Sequence, residues 1–342
     1  MVMEMEMQRG YLQGQQMETI YFGGGTPSAL PVEDIRLLLD TIHRLHNVSQ
    51  SPEITLEANP DDITVENVAR WKESGINRLS IGIQAFQDEL LKAWNRSHDA
   101  DQAEHAISLA QKAGIENITA DLIYGGPGLS DVDWISNIQR LLDSGIPHIS
   151  SYALTVETGT ALHHQIEKGK SISPDDDQAN RQYAILQEML AENGFRQYEV
   201  SNFAKEGFES RHNRSYWSGA HYLGIGPSAH SFNGESRQWN VANNVRYIQS
   251  LAEGAIPFER EELTEAQRYN ELVMTGLRTS GGIDMLRVHA LGEEYLNYLE
   301  EHVIGYVKNG KVIRNDLGNW VLKPEYLFYA DGIAADLFFE HI

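Results

Sequence analysis

One pattern of apolar and polar positions recurs along the chain. An amphipathic helix ends, a glycine follows, then one apolar residue, two more residues, and a run rich in β-branched side chains. It occurs in WKESGINRLSIGI (71–83), AQKAGIENITADL (110–122), LLDSGIPHISSYAL (141–154) and AENGFRQYEV (191–200). The glycines, Gly75, Gly114, Gly145 and Gly194, stand where a helix end needs a left-handed residue to close its last carbonyls. Ile76, Ile115, Ile146 and Phe195 behind them are placed to pack back on the helix. METIYF (17–22) and EITLEAN (53–59) read as two earlier strands, with PVEDIRLLLDTIHRL between them opening on Pro31 and an acidic first turn, as a helix start prefers. Strands alternating with helices predict a parallel sheet, either a complete or partial (β/α) barrel or an open doubly wound sheet.

The strands also predict two different faces. In RLSIGIQ (78–84), Leu79, Ile81 and Ile83 point one way and Ser80, Gly82 and Gln84 the other. In ITADLIYGG (118–126), Ile118, Ala120 and Leu122 share one face, while Thr119, Asp121 and Ile123 share the opposite one. A closed barrel fills its interior with bulky aliphatics. These small, polar inward positions predict instead an open lumen that receives a polar ligand.

Past about residue 205 the grammar changes. Residues 205–245 are rich in Gly, Asn, Ser and aromatics, and 264–342 reads as helices around a small hairpin, VKNGKVIRND, with an Asn309-Gly310 turn. The expected domains are a barrel with an added sheet over 1–245 and a mainly helical domain over 246–342.

Composition narrows the chemistry. With 342 residues, 41% of them hydrophobic, the chain can bury a large core. Its net charge of −22 makes nucleic acid a poor partner. Neither a bilayer-spanning apolar stretch nor a signal peptide is visible, so a cytoplasmic protein without stable membrane insertion is expected. The chain contains no cysteine, which excludes disulfides, thiolate zinc sites and cysteine-held iron–sulfur clusters within these residues. Among the 13 histidines, His163 and His164 are adjacent and expected to diverge on a helix, and no HExxH pair appears, so no metal site is expected. The glycine run in YFGGGTPSAL (21–30) lets a backbone approach a ligand closely, but it lacks the Lys-Ser/Thr of a phosphate loop.

YFGGGTP, EANP (57–60), GINRLSIGIQAF (75–86), LKAWNRSH (91–98), DLIYGGPG (121–128) and SSYALTVETGT (150–160) occur in that order. HNRSYW (212–217), YLGIGPSAHSF (222–232) and ELVMTGLRTSGGID (271–284) follow. Together they resemble the oxygen-independent coproporphyrinogen III oxidase family of radical S-adenosylmethionine (SAM) proteins, and HNRSYW resembles the HNxxYW motif of its HemW branch of heme chaperones. The resemblance covers nearly the whole chain. It implies a partial parallel barrel with SAM across its mouth. It matches Gly24, Gly25 and Thr26 to the methionine end of SAM, Glu57 to its amino group, Arg96 to its carboxylate, and Gln84 and Asp121 to the ribose hydroxyls. It makes His212 and Tyr216 candidates for holding heme; the alternative reading has Tyr216 and Trp217 packing the added sheet and His212 in a structural hydrogen bond.

The resemblance fails at one place. The family opens with a strand ending in CxxxCxxC that holds a [4Fe–4S] cluster, whereas this chain opens MVMEMEMQRGYLQGQQ, similar to the helix after the cluster loop. The expectation is a barrel lacking its first strand, a truncated amino terminus, no radical chemistry from these residues alone, and weakened SAM binding. The function implied is heme binding with transfer to acceptor proteins, with dimerisation open. Two alternatives stand beside it: a coproporphyrinogen III oxidase, which needs the cluster, and a clusterless heme-binding module, which does not.

Overall fold

The computed structural model describes residues 1–169 and 171–340. Its strands are β1 (Met17–Phe22), β2 (Val48–Ala58), β3 (Arg78–Gln84), β4 (Asn117–Tyr124), β5 (His148–Ala153), β6 (Arg196–Glu199) and β7 (Asn202–Ala204), followed by β8 (His230–Phe232), β9 (Ser236–Asn240), β10 (Phe258–Glu262), β11 (Val312–Arg314) and β12 (Trp320–Leu322). The first seven form one curled sheet in the order β1-β2-β3-β4-β5-β7-β6. β2, β3, β4 and β5 pair in parallel, as the helix–strand alternation requires. The sheet departs from the simple repeat at its far end. β6 does not lie beside β5; the chain turns back at once, and β7 inserts between them, antiparallel to both.

The repeated glycine junction works as its spacing predicts. Gly75, Gly114, Gly145 and Gly194 have φ of +104°, +76°, +73° and +78°. At the first, Ile76 N–H donates to Trp71 O and Gly75 N–H to Lys72 O; at the last, Phe195 N–H donates to Leu190 O. These are the paired bonds that close a helix end. The apolar residues behind the glycines are buried, as are Leu79, Ile81, Ile83, Ile118, Ala120 and Leu122 on the helix-facing side of the strands.

Two compact units emerge, one of Met1–Ile20, Pro31–Glu53 and Ser210–Ile342, the other of Tyr21–Leu30 and Ile54–Glu209. Their bounds differ from the expected 1–245 and 246–342, because early segments of the chain pack with the late ones. In the first unit the helix Val2–Met7 buries Glu4 completely, and its carboxylate accepts from Gly226 N–H (2.9 Å), Asn240 Nδ2 and Tyr247 Oη. Met1, Met3 and Met7 face solvent. The same unit holds an antiparallel sheet of order β10-β9-β8 and the β11-β12 hairpin. The hairpin does not turn at Asn309-Gly310. Those residues end the helix Glu293–Lys308, where Gly310 (φ +69°) donates to Val307 O and Lys311 to Tyr306 O. An Asn-Gly pair serves a helix end as readily as a hairpin, since both need a left-handed residue. The turn lies at Asn315–Asn319, where Asn315 N–H donates to Asn319 O (3.0 Å). The expected C-terminal helix closes at Asp336, and its last residues, 341–342, lie outside the described residues.

Candidate functional site

In the second unit the polar strand positions converge. Glu57, near the end of β2, accepts from Tyr21 Oη (2.6 Å) through one oxygen and from Gly24 N–H (3.1 Å) through the other. The glycine run makes this approach feasible. A Cβ on Gly23 would stand 2.3 Å from the Tyr21 ring and 2.9 Å from Glu57 Oε1, whereas Gly24 and Gly25, at φ +76° and +85°, face open space. The loop is tied behind Thr26 by Ser28, whose hydroxyl donates to Asp62 (2.6 Å) and accepts from Asn59 N–H (3.2 Å).

Asp121 is the second carboxylate. Ser80 Oγ lies 3.3 Å from both its oxygens. Burial first, then the Glu57 charge, pushes its carboxyl up to about 7, against the hydroxyls of Ser80 and Ser150 and the distant Arg78 charge. Burial and the same two carboxylates also raise the Tyr21 phenol far above its ordinary value, so it remains a donor. Burial lowers the Arg96 guanidinium, and the Asp121 charge opposes that shift. Gln84 is nearly buried at φ +68°, beyond a register shift between β3 and β4. A non-glycine residue held there is strained, a feature that concentrates at ligand sites.

Beneath these lies a layer absent from the candidates drawn from the sequence. Arg78 is fully buried and donates to Asn117 Oδ1, Thr119 Oγ1 (2.6 Å) and Phe208 O (3.3 Å). Buried His148 pairs with Tyr198 Oη (2.8 Å), and burial with the Arg78 charge holds its imidazole well below the ordinary value, hence neutral. Ser150 donates to Asn202 (2.5 Å). Arg78 and Ser80 share the inward parity of β3 with Gln84, and that parity was the available signal.

In the first unit, HNRSYW lies on the helix Arg211–Trp217, capped by Ser210, whose Oγ accepts from Asn213 N–H. Glu53 receives the helix start through Arg211 N–H (3.0 Å) and His212 N–H (2.9 Å). His212 Nδ1 meets Thr19 Oγ1 at 2.9 Å, and burial holds its imidazole down to about 4. The His212 ring stands edge-on to Tyr216 at 5.0 Å, Tyr216 to Tyr222 at 4.8 Å, and Tyr222 continues to Phe232 at 6.2 Å. Arg278 lies 5.1 Å over Trp217. Gly24, Gly25, Thr26, Glu57, Gln84, Arg96 and Asp121 thus all lie in one unit, and His212 with Tyr216 in the other.

One histidine expectation is corrected. His163 and His164, on the helix Ala161–Glu167, do not diverge: both imidazoles turn toward Glu167, with Nδ1 to Oε2 distances of 3.6 and 3.2 Å. Positions three and four residues before a given side chain flank it on a helix surface, so adjacent residues can meet one common partner.

The curled parallel sheet is a half-barrel of the radical SAM type, and residues 3–141 match the sequence model of the Radical SAM superfamily. The chain is 34% identical over 319 residues to the heme chaperone HemW of Bacillus subtilis, covering 88% of this chain and 84% of that protein. It is 35% identical over 292 residues to the heme chaperone HemW of Mycobacterium tuberculosis, covering 85% and 75%. Its fold matches the crystal structure of coproporphyrinogen III oxidase (HemN) from Escherichia coli with a TM-score of 0.83 at 20% identity, covering 98% of this chain and 81% of that one. The chain belongs to the HemW-like family of radical SAM proteins.

Membership implies SAM and a [4Fe–4S] cluster. The 342 residues contain no cysteine, so they supply no thiolates for a cluster, and no step through one follows from these residues. No helix among the described residues is long and apolar enough to cross a membrane.

Proposed function

We propose that this chain binds heme and passes it to acceptor proteins, and that its half-barrel holds SAM. The observation that carries the reading is the pair of heme chaperones aligned over 88% and 85% of the chain. The SAM assignment has physical support. Glu57, its oxygens oriented by Tyr21 and Gly24, offers a carboxylate to an ammonium group. Gly24, Gly25 and Thr26 line the approach, Arg96 offers a cation to a carboxylate, and Gln84 with Asp121 offers acceptors to sugar hydroxyls. When bound, SAM supplies an activated sulfonium; these residues orient it and exclude water around it. His212 suits iron in one respect: its imidazole is neutral near pH 7, the ligating form, and Thr19 orients the ring. Tyr216 adds an aromatic edge beside it.

The test is a hemin titration of the full chain, His212→Ala and Tyr216→Phe. The expected result is saturable one-to-one binding with a Soret band that shifts, and an affinity that falls at least about tenfold, in His212→Ala. An unchanged spectrum and affinity removes His212 from the site, and absence of saturable binding in the parent chain refutes heme binding. Heme-loaded protein mixed with excess apomyoglobin tests the transfer; full retention of heme argues against it.

A further inference from the structure

We propose that His163, His164 and Glu167 form a surface site for a divalent transition ion of the zinc class. This is independent of the SAM and heme readings. The helix Ala161–Glu167 is started by Thr160, whose Oγ1 accepts from His163 N–H (3.2 Å) while donating to Glu157 O (2.7 Å). That cap fixes the register in which positions 163 and 164 flank 167. The three ligand atoms lie within 4.8 Å of one another, an arrangement that no other His, Asp or Glu trio among the described residues offers.

The distances suit one ion. Ligands at about 2.0–2.2 Å from a tetrahedral zinc stand roughly 3.3–3.6 Å apart. The two histidine–Glu167 separations, 3.6 and 3.2 Å, already lie near that edge. The two imidazoles meet edge to face with centroids 5.7 Å apart, so small side-chain rotations bring both nitrogens to a common point. His163 Nδ1 is enclosed and has no hydrogen-bond partner among the described residues. A lone pair held in that state gains from a cation. His164 and Glu167 are more than half exposed, which leaves room for water at the remaining coordination positions.

Two imidazoles and a carboxylate select zinc, nickel or copper(II) over magnesium or calcium, which take oxygen ligands. The net charge of −22 concentrates cations near the surface without choosing among them. The site needs residues i, i+1 and i+4 from a single helical turn, so it is formed whenever that turn is.

Calorimetric titration with ZnCl2 and visible absorption with CoCl2, both on the full chain, test the site. The parent chain is expected to bind one ion of each at this site, with cobalt bands of tetrahedral intensity. His163→Ala/His164→Ala is expected to lose that ion, Glu167→Gln to bind it at least about tenfold more weakly, and His43→Ala/His46→Ala to behave as the parent. Alanine retains helix propensity, and the exposed Glu167→Gln change keeps the test open if the double variant is unstable. Equal zinc stoichiometry and affinity in parent and double variant, or no specific ion in the parent, overturns the proposal.

Discussion

Replacing Asp121 by Asn should make the protein more stable at neutral and alkaline pH. The folded carboxyl sits at about 7 against an ordinary 3.8, raised by burial and by Glu57. At roughly 1.36 kcal/mol per pH unit, ionising it in place costs about 4 kcal/mol, a substantial share of a typical domain stability of about 5–15 kcal/mol. The folded state holds this proton more tightly than the unfolded chain does. The contribution therefore favours folding at low pH, is lost as pH rises from about 4 to about 7, and is fully lost above that. The amide introduced by Asp121→Asn would retain an acceptor for Ser80 without a charge. Urea unfolding of both proteins at pH 5, 6, 7 and 8 reads the difference. The gap in favour of Asp121→Asn is expected to be largest at pH 8, about 4 kcal/mol at most, and to shrink to about 1–2 kcal/mol at pH 5. A gap independent of pH, or a less stable variant at pH 8, would refute the electrostatic account. The same variant should bind SAM more weakly, as expected where ligand recognition has been kept at a cost in stability.

Two further outcomes follow from packing. Glu4→Ala strips a fully buried acceptor from Gly226 N–H, Asn240 and Tyr247, of which Asn240 keeps a second partner in Gly226 O (2.8 Å). With two buried donors left unsatisfied at about 1–3 kcal/mol each, the expected loss is about 2–6 kcal/mol, seen as a lower urea midpoint, and a change under about 1 kcal/mol would contradict it. Gly23→Ala forces a Cβ to 2.3 Å from the Tyr21 ring, so the Tyr21–Glu57 bond must open. A loss of about 1–3 kcal/mol and weaker SAM retention in equilibrium dialysis are expected; unchanged SAM binding would separate this loop from the ligand.

Periodicity made much of the fold legible. Helix ends announce themselves through Gly75, Gly114, Gly145 and Gly194, because one left-handed residue and one buried apolar residue are local requirements. Strand parity separates the fully buried Leu79, Ile81 and Ile83 from Ser80 and Gln84 on the other face of β3. Asn309-Gly310 departs from the local expectation, because a hairpin and a helix end ask for the same backbone and only the surrounding partners choose between them. His163 and His164, adjacent in sequence, share Glu167 because the turn and its cap set their directions.

By itself, then, the amino-acid order determined the alternation, the helix caps, the two faces of each strand and the absence of thiolates, all properties of neighbours or of composition. Only the tertiary structure decided that β7 returns between β5 and β6, that Arg78 is buried against Asn117, Thr119 and the Phe208 carbonyl, and that Glu4 anchors to partners 222, 236 and 243 positions away. The physical reason is the same in each case. Burial of charge is settled by which distant donors happen to surround it, and no local period encodes that.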